Sequence, residues 1–311
     1  MNGSLPRVIS HVGALPGVAA ALPGVEITPV PPDGPIDDAI EGEVLLTLMR
    51  GAPNLGEVLR RGVKWVHTVG TGVDEFPLHL LDGQVLTCSR GATSVPIAEW
   101  VLAQILAFEK KLPVAWVREP PEQWGSPALG TVEGRTIALL GLGSIGEAVA
   151  RRALAFDAKV RALRRSDAPS PVRGVEIVRD VGSLVNDADH VVLAAPLTPA
   201  TRRIVDPSFF DAMRPGAHLI NVARAELVDE DALRSALDRG QLGLASLDVA
   251  PVEPLPRGHW LYTHPRVRLS AHVAWSGPQV WTAIEQSFID NYERFRTGAV
   301  LANVVDVERG Y

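Results

Sequence analysis

Short apolar, β-branched runs alternate along this chain with segments whose apolar residues recur at helical spacing, the signature of parallel α/β sheets. Residues 7–11, 44–48, 64–69 and 85–88 read as strands. Over 96–110, Ile97, Val101, Leu102, Ile105, Leu106 and Phe108 form one broad apolar face, and Pro96 suits a first helical turn. The Pro- and Trp-containing stretch 113–127 reads as an irregular crossing between two domains. A second, more regular series follows, with strands at 136–140, 159–163, 190–194, 218–222, 244–248 and 267–270 and a helix at 148–154. The tail returns to a helix over 278–296 and a last segment, 304–311, and no short internal repeat interrupts the two α/β units.

Composition narrows this picture without changing it. A chain of 311 residues is long for one ordinary domain and comfortable for two. Its 46% hydrophobic and 21% charged residues are near globular averages and exclude disorder. A net charge of −6 argues against nucleic acid or an anionic membrane as partner, so an anionic ligand needs a local pocket of positive charge. The single cysteine, Cys88, excludes an internal disulfide framework, fits a reducing cytoplasm and reads as a small core residue at a strand end. The apolar stretch 12–25 mimics a secretory signal, but Pro16 and Pro23 interrupt it and cleavage would remove the first strand. No uninterrupted apolar stretch approaches membrane-spanning length, so the expectation is a soluble, cytoplasmic protein.

The strongest local signal is Gly141-Leu-Gly143-Ser144-Ile145-Gly146, directly after an apolar run and directly before a helical one. In that context each glycine serves a purpose. Gly141 permits the tight turn, Gly143 lets the backbone approach a pyrophosphate, and Gly146 lets helix pack on strand. The pyrophosphate then lies over the positive end of the helix, where N–H groups point outward. The next strand ends in Arg164-Arg165-Ser166, where an NAD site carries a carboxylate for the ribose 2′-hydroxyl. Guanidinium groups and a hydroxyl suit a 2′-phosphate, so NADP(H) is the expected cofactor with Arg164 discriminating. Asp167 close by keeps NAD(H) open as the alternative.

Three further polar positions follow, each at or just after the end of an expected strand, where open parallel sheets bind ligands. They are Arg224 in Asn221-Val-Ala-Arg224, Glu253 in Asp248-Val-Ala-Pro-Val-Glu253-Pro, and His272 in Ser270-Ala-His272-Val-Ala-Trp275. With Ala195-Pro-Leu-Thr-Pro-Ala-Thr201, Gly70-Thr-Gly-Val-Asp74 and Val95-Pro-Ile-Ala-Glu99, these segments resemble, in order and over nearly the whole chain, the D-isomer-specific 2-hydroxyacid dehydrogenases. The chain length, the basic strand end and the terminal Val305-Asp-Val-Glu-Arg-Gly-Tyr311 are most similar to glyoxylate/hydroxypyruvate reductases of that family.

The resemblance implies two doubly wound parallel-sheet domains. A Rossmann dinucleotide-binding domain, 95–276, is inserted into a flavodoxin-like substrate-binding domain, 1–94 plus 277–311, with the active site in the cleft between them. It implies reduction of a small 2-oxo acid to the D-2-hydroxy acid with NAD(P)H, no metal, and a homodimer. His272 is then the proton donor, Glu253 holds its tautomer, and Arg224 grips the substrate carboxylate and polarises the carbonyl. Backbone N–H groups of Thr71 and Gly72 hold the carboxylate, and Asp248 accepts a bond from the nicotinamide amide.

Departures from the family pattern are Ala225 for a glycine, Ala250 for an aromatic and Ala271 for a proline; they touch loop geometry and leave the chemical groups in place. Trp275 stands where it either walls the substrate pocket or packs, and Arg50 is a second pocket candidate. Two rivals share the fold. A formate-dehydrogenase-like enzyme carries glutamine where this chain has Glu253, and a dinucleotide-sensing binding protein would bind cofactor without turnover.

Overall fold

The computed structural model describes residues 5–13, 15–120, 122–125 and 128–311. Pro127, the expected end of the irregular crossing, and Ala14, inside the signal-like stretch, lie outside the described residues. The chain divides into two compact units, 1–93 with 277–311, and 94–276.

In the first unit the order is β1 (Val8–Ser10), α1 (Pro16–Ala21), β2 (Ile27–Pro29), β3 (Val44–Thr47), α2 (Leu55–Leu59), β4 (Trp65–Thr68) and β5 (Val85–Cys88). The five strands are parallel, ordered β2-β1-β3-β4-β5, so the first strand stands where the winding reverses. Strands with both faces covered read as unbroken apolar runs rather than alternating ones. Ile9, Leu45, Val66 and Leu86 fill one face against Leu55 and Val58. Val8, Val44, Leu46 and Trp65 fill the other. Cys88 lies in the first of these layers, and burial pushes its thiol above the ordinary value, as befits a packing residue.

The second unit opens with α3 (Ser94–Glu109) and continues through β6 (Thr136–Leu140), α4 (Ser144–Leu154), β7 (Lys159–Leu163), β8 (Val175–Val178), α5 (Val181–Val185) and β9 (His190–Leu193). It closes with α6 (Pro207–Ala212), β10 (Ala217–Asn221), α7 (Glu230–Asp238), β11 (Leu242–Leu247) and β12 (Val267–Leu269). Its seven parallel strands run β12-β11-β10-β9-β6-β7-β8, with β6 and β9 meeting at the reversal. Alternate residues of a strand face opposite sides, so Ile137 and Leu139 join the layer of α3 and α4, whereas Ala138 and Leu140 join that of α5, α6 and α7. Phe209 and Phe210 of α6 are fully buried there; each contributes about 2–3 kcal/mol by leaving water. The expected crossing segment, as far as it is described, consists of turns and bends inside this unit.

The chain then returns to the first unit with α8 (Val280–Thr297), whose Phe288 stacks on Trp65 at 5.3 Å and whose Tyr292 hydroxyl donates to Pro6 O at 2.7 Å. Gly298, at φ 71°, ends this helix in the left-handed conformation that glycine adopts at little cost. Val304 then bridges Thr87 on the edge of β5. Among the described residues no helix is long and apolar enough to cross a membrane.

Candidate active site

Five loops at the carboxyl ends of the second unit's strands carry the residues singled out from the sequence. After β6 the chain turns through Gly141 at φ 104°, where a Cβ would stand 2.7 Å from Ala194 C and Ala195 N. A side chain at Gly146 would run into Gly141 O, so both positions require glycine for space. At Gly143 a Cβ would meet nothing within 4 Å: that glycine faces open room. The first helical bond of α4 is Glu147 N to Gly143 O at 2.8 Å, and no side chain caps the helix. The N–H groups of Ser144, Ile145 and Gly146 thus precede the hydrogen-bonded ladder, at the positive end of the helix dipole. A clear cradle before an uncapped eleven-residue helix fits the pyrophosphate of a dinucleotide.

The basic strand end is placed as read. Arg164 follows β7 directly and donates to Pro169 O at 3.4 Å; Arg165 and Ser166 are exposed beside it. Asp167, the candidate carboxylate for a ribose hydroxyl, is ion-paired with Arg179 instead.

Arg224, Glu253 and His272 come together in this unit. His272 Nδ1 lies 2.7 Å from Glu253 Oε2, both half-exposed. Partial burial works to raise the Glu253 carboxyl, but the hydrogen bonds from His272 and from Ala250 N–H outweigh it, with Arg224 adding to them. The carboxyl is held below the usual range and is ionised at neutral pH. His272 has φ 55°, a left-handed conformation that costs a residue with a side chain about 1 kcal/mol or more.

The backbone around Arg224 is held by Asn221, whose Nδ2 donates to Arg224 O at 2.9 Å and whose Oδ1 accepts from Ala223 N at 3.0 Å. Asp248 is buried, at 2% exposure. Its Oδ1 accepts from Ser270 Oγ and Val273 N, and its Oδ2 from Ala274 N at 2.8 Å. Those bonds fasten the segment on either side of His272. Sequence reasoning passed over Asn221 and Ser270, although both stand in the segments that define the site; the signal was a short polar side chain where a strand ends. Trp275 is partly exposed.

In the first unit, the loop after β4 carries Thr71 and Gly72. Thr71 Oγ1 lies 3.2 Å from Thr93 Oγ1 and donates to Ser89 O at 3.4 Å, which pins the turn. Gly70 is required because a side chain there would strike Met49. Arg50 pairs with Glu75 at 2.6 Å on the surface.

Comparison with known proteins agrees with this geometry. Residues 102–274 match the model of the D-isomer specific 2-hydroxyacid dehydrogenase, NAD binding domain. The chain is 32% identical over 264 residues to glyoxylate/hydroxypyruvate reductase A of Serratia proteamaculans, covering 81% of this chain and 83% of that one. A D-isomer specific 2-hydroxyacid dehydrogenase from Xanthobacter autotrophicus Py2, solved with NADPH and MES, superimposes with a TM-score of 0.84 at 27% identity, covering 99% of this chain and all of the other. The NADPH-dependent glyoxylate/hydroxypyruvate reductase of Sinorhizobium meliloti, solved with NADP and sulfate, gives a TM-score of 0.82 at 27% identity over 98% and 99% of the two chains. The chain belongs to the D-isomer specific 2-hydroxyacid dehydrogenase family, and is an oxidoreductase with a nicotinamide-dinucleotide-binding domain.

Proposed function

We propose that this enzyme reduces a small 2-oxo acid, glyoxylate or hydroxypyruvate, to the D-2-hydroxy acid, preferring NADPH to NADH. The observation that carries the reading is the 2.7 Å pair of His272 and Glu253 at the carboxyl edge of the sheet that bears the dinucleotide cradle. The relatives named for those substrates, and those solved with NADPH or NADP, support it.

Gly141–Gly146 would hold the pyrophosphate of the dinucleotide and Arg164, Arg165 and Ser166 its 2′-phosphate, and the bound group would supply the hydride. Everything else falls to the chain. Glu253 occupies Nδ1 of His272, which leaves Nε2 to carry the proton given to the carbonyl oxygen. Arg224, its loop fixed by Asn221, offers a planar fork of donors to the substrate carboxylate and draws charge toward the oxygen. Backbone N–H groups of Thr71 and Gly72 serve the carboxylate as well. Asp248 would accept the nicotinamide amide on Oδ2, which among the described residues receives one bond, from Ala274 N, and has a lone pair left.

Initial rates of NADPH and NADH oxidation with glyoxylate, hydroxypyruvate, pyruvate and a bulky 2-oxo acid test this. The expected result is NADPH-linked turnover of the two small acids, reduced roughly 100- to 10,000-fold in kcat/KM by His272→Ala. Equal kcat/KM for NADH and NADPH would remove the cofactor preference. Tight NADPH binding without turnover of any acid would replace an enzyme by a dinucleotide-sensing protein.

We further propose a cytoplasmic homodimer. Its support is the apolar segment after α3, where Val114, Trp116, Val117 and Trp124 are 58–89% exposed in the single chain. A monomeric mass by light scattering at micromolar concentration would refute it.

A further inference from the structure

On the face of the second unit covered by α6 and α7, a pocket of about 180 Å³ opens beside the end of β11. Its floor is apolar: Leu233, Leu247, Val249 and Leu261, each nearly inaccessible to bulk water. Its rim is charged with both signs, Arg202 and Arg203 on one turn, Glu226 on a second turn and Glu230 at the start of α7. Two of the four are committed elsewhere. Arg203 lies 3.5 Å from Asp229, and Glu230 accepts the Trp260 indole N–H at 2.6 Å. Arg202 and Glu226 form no side-chain ion pair among the described residues, although both are charged and both line the pocket. The two rim turns are tied together, since Arg203 N donates to Glu226 O at 2.8 Å, and Arg203 holds a left-handed φ of 55° there. The backbone of the rim is thus fixed, and it carries a cationic and an anionic side chain beside an apolar hollow.

We propose that this pocket is an effector site for a small α-amino acid with a branched apolar side chain. Arg202 takes the carboxylate, Glu226 takes the ammonium, and the side chain fills the hollow above Leu233, Val249 and Leu261. Size agrees with this occupant. A cavity of about 150 Å³ lined by aliphatic residues takes up benzene, so this one suits a molecule of roughly seven to nine heavy atoms. Charge agrees as well: an amine offers Arg202 no anion to pair with, a simple carboxylate offers Glu226 no cation, and a zwitterion pairs with both.

Two walls of the pocket belong to the segments that bear the candidate catalytic groups. Asn221 and Ala225 flank Arg224, and Pro251 stands two residues before Glu253. An occupant therefore braces both segments from behind and alters substrate affinity; that part rests on the proposed function, whereas binding itself does not.

The test reads binding first, by thermal unfolding of the purified full-length protein with L-leucine, 3-methylbutylamine and 3-methylbutanoate at 10 mM. L-leucine is expected to raise the midpoint by about 2 °C or more, and the two half-molecules by much less. In Arg202→Ser, at an exposed position, and in Glu226→Gln, which keeps the size of the side chain, the leucine shift is expected to disappear while the rate without leucine and the melting midpoint without leucine stay as before. KM for the 2-oxo acid, measured with and without leucine, is expected to change at least twofold in the parent and not in the variants. No shift with leucine, an equal shift with the acid or the amine alone, or a shift that survives in Arg202→Ser would each overturn the proposal. An enzyme inactive on every 2-oxo acid that still shows the leucine shift would refute the proposed function and leave the pocket standing.

Discussion

The two sheets begin in the same way and end their first turn differently. In both, the first strand stands at the winding reversal and runs into a helix, yet only one of the two helix starts is left open. In the first unit α1 begins with Pro16, which has no N–H to offer, and the next donor, Gly17 N, is taken by the Glu285 carboxylate of α8 at 3.0 Å. In the second unit Gly143 faces open room and α4 has no side-chain cap. A helix start attracts negative charge wherever it occurs. In the first unit the protein supplies that charge from its own chain, and in the second it leaves the place to a dinucleotide. Architecture alone therefore does not make a cofactor site; what fills the first turn decides.

The most direct way to break this contrast is to move the plug. Gly143→Asp places a carboxylate at the start of α4 in a position with space for it, where it caps the helix and repels pyrophosphate. NADPH affinity, read by fluorescence titration, is expected to fall by about 100-fold, which is about 2.7 kcal/mol, with the melting midpoint unchanged or higher. Unchanged affinity would show that the open turn is not the cradle.

The contrast can be extended to the buried strand histidines. In the first unit His67 lies between Thr87 and Ser89, and burial depresses its pKa to about 3. In the second unit burial, then the neighbouring His190 and Arg268, push His218 well below its ordinary value. A depressed imidazole binds fewer protons folded than unfolded, so its contribution is intact above about pH 6.5 and is lost as the pH falls below that. For His67 the loss reaches about 2 kcal/mol at pH 5, and urea unfolding at pH 7 and pH 5 measures it. Equal stability at the two pH values would contradict burial of neutral histidines in either unit. The smallest effect is expected from removing the plug. Glu285→Ala should destabilise the first unit by about 1 kcal/mol, seen as a lower urea midpoint, without creating a second NADPH site by titration.

What the sequence revealed follows the same division. The cradle was legible because tight turn, close approach and helix start leave three spaced glycines, and Arg224, Glu253 and His272 were legible because each stands at or after the end of a stretch that reads as a strand. The short strands β2 and β8 were not. Ile27-Thr-Pro29 contains a proline and is half-exposed, and Val175-Glu-Ile-Val178 lies on the far edge, so neither shows the apolar run of a central strand. The helices α5, α6 and α7 escaped despite an available sign. Asp180, Asp206 and Asp229 each cap the N–H three residues on, but the helices they start are short and two of them have few apolar turns. The left-handed backbone of His272 left no trace, because histidine, though enriched at positive φ among residues with a side chain, mostly adopts negative φ.

The return of α8 to the first sheet also sets an order of events during synthesis. All of the second unit, 94–276, is contiguous and can close its core once that stretch has left the ribosome. The first unit begins earlier but lacks Phe288 and Tyr292 for Trp65 until its last residues emerge. Of the two units, the one begun first is thus completed last, and until then Trp65 lacks its stack on Phe288.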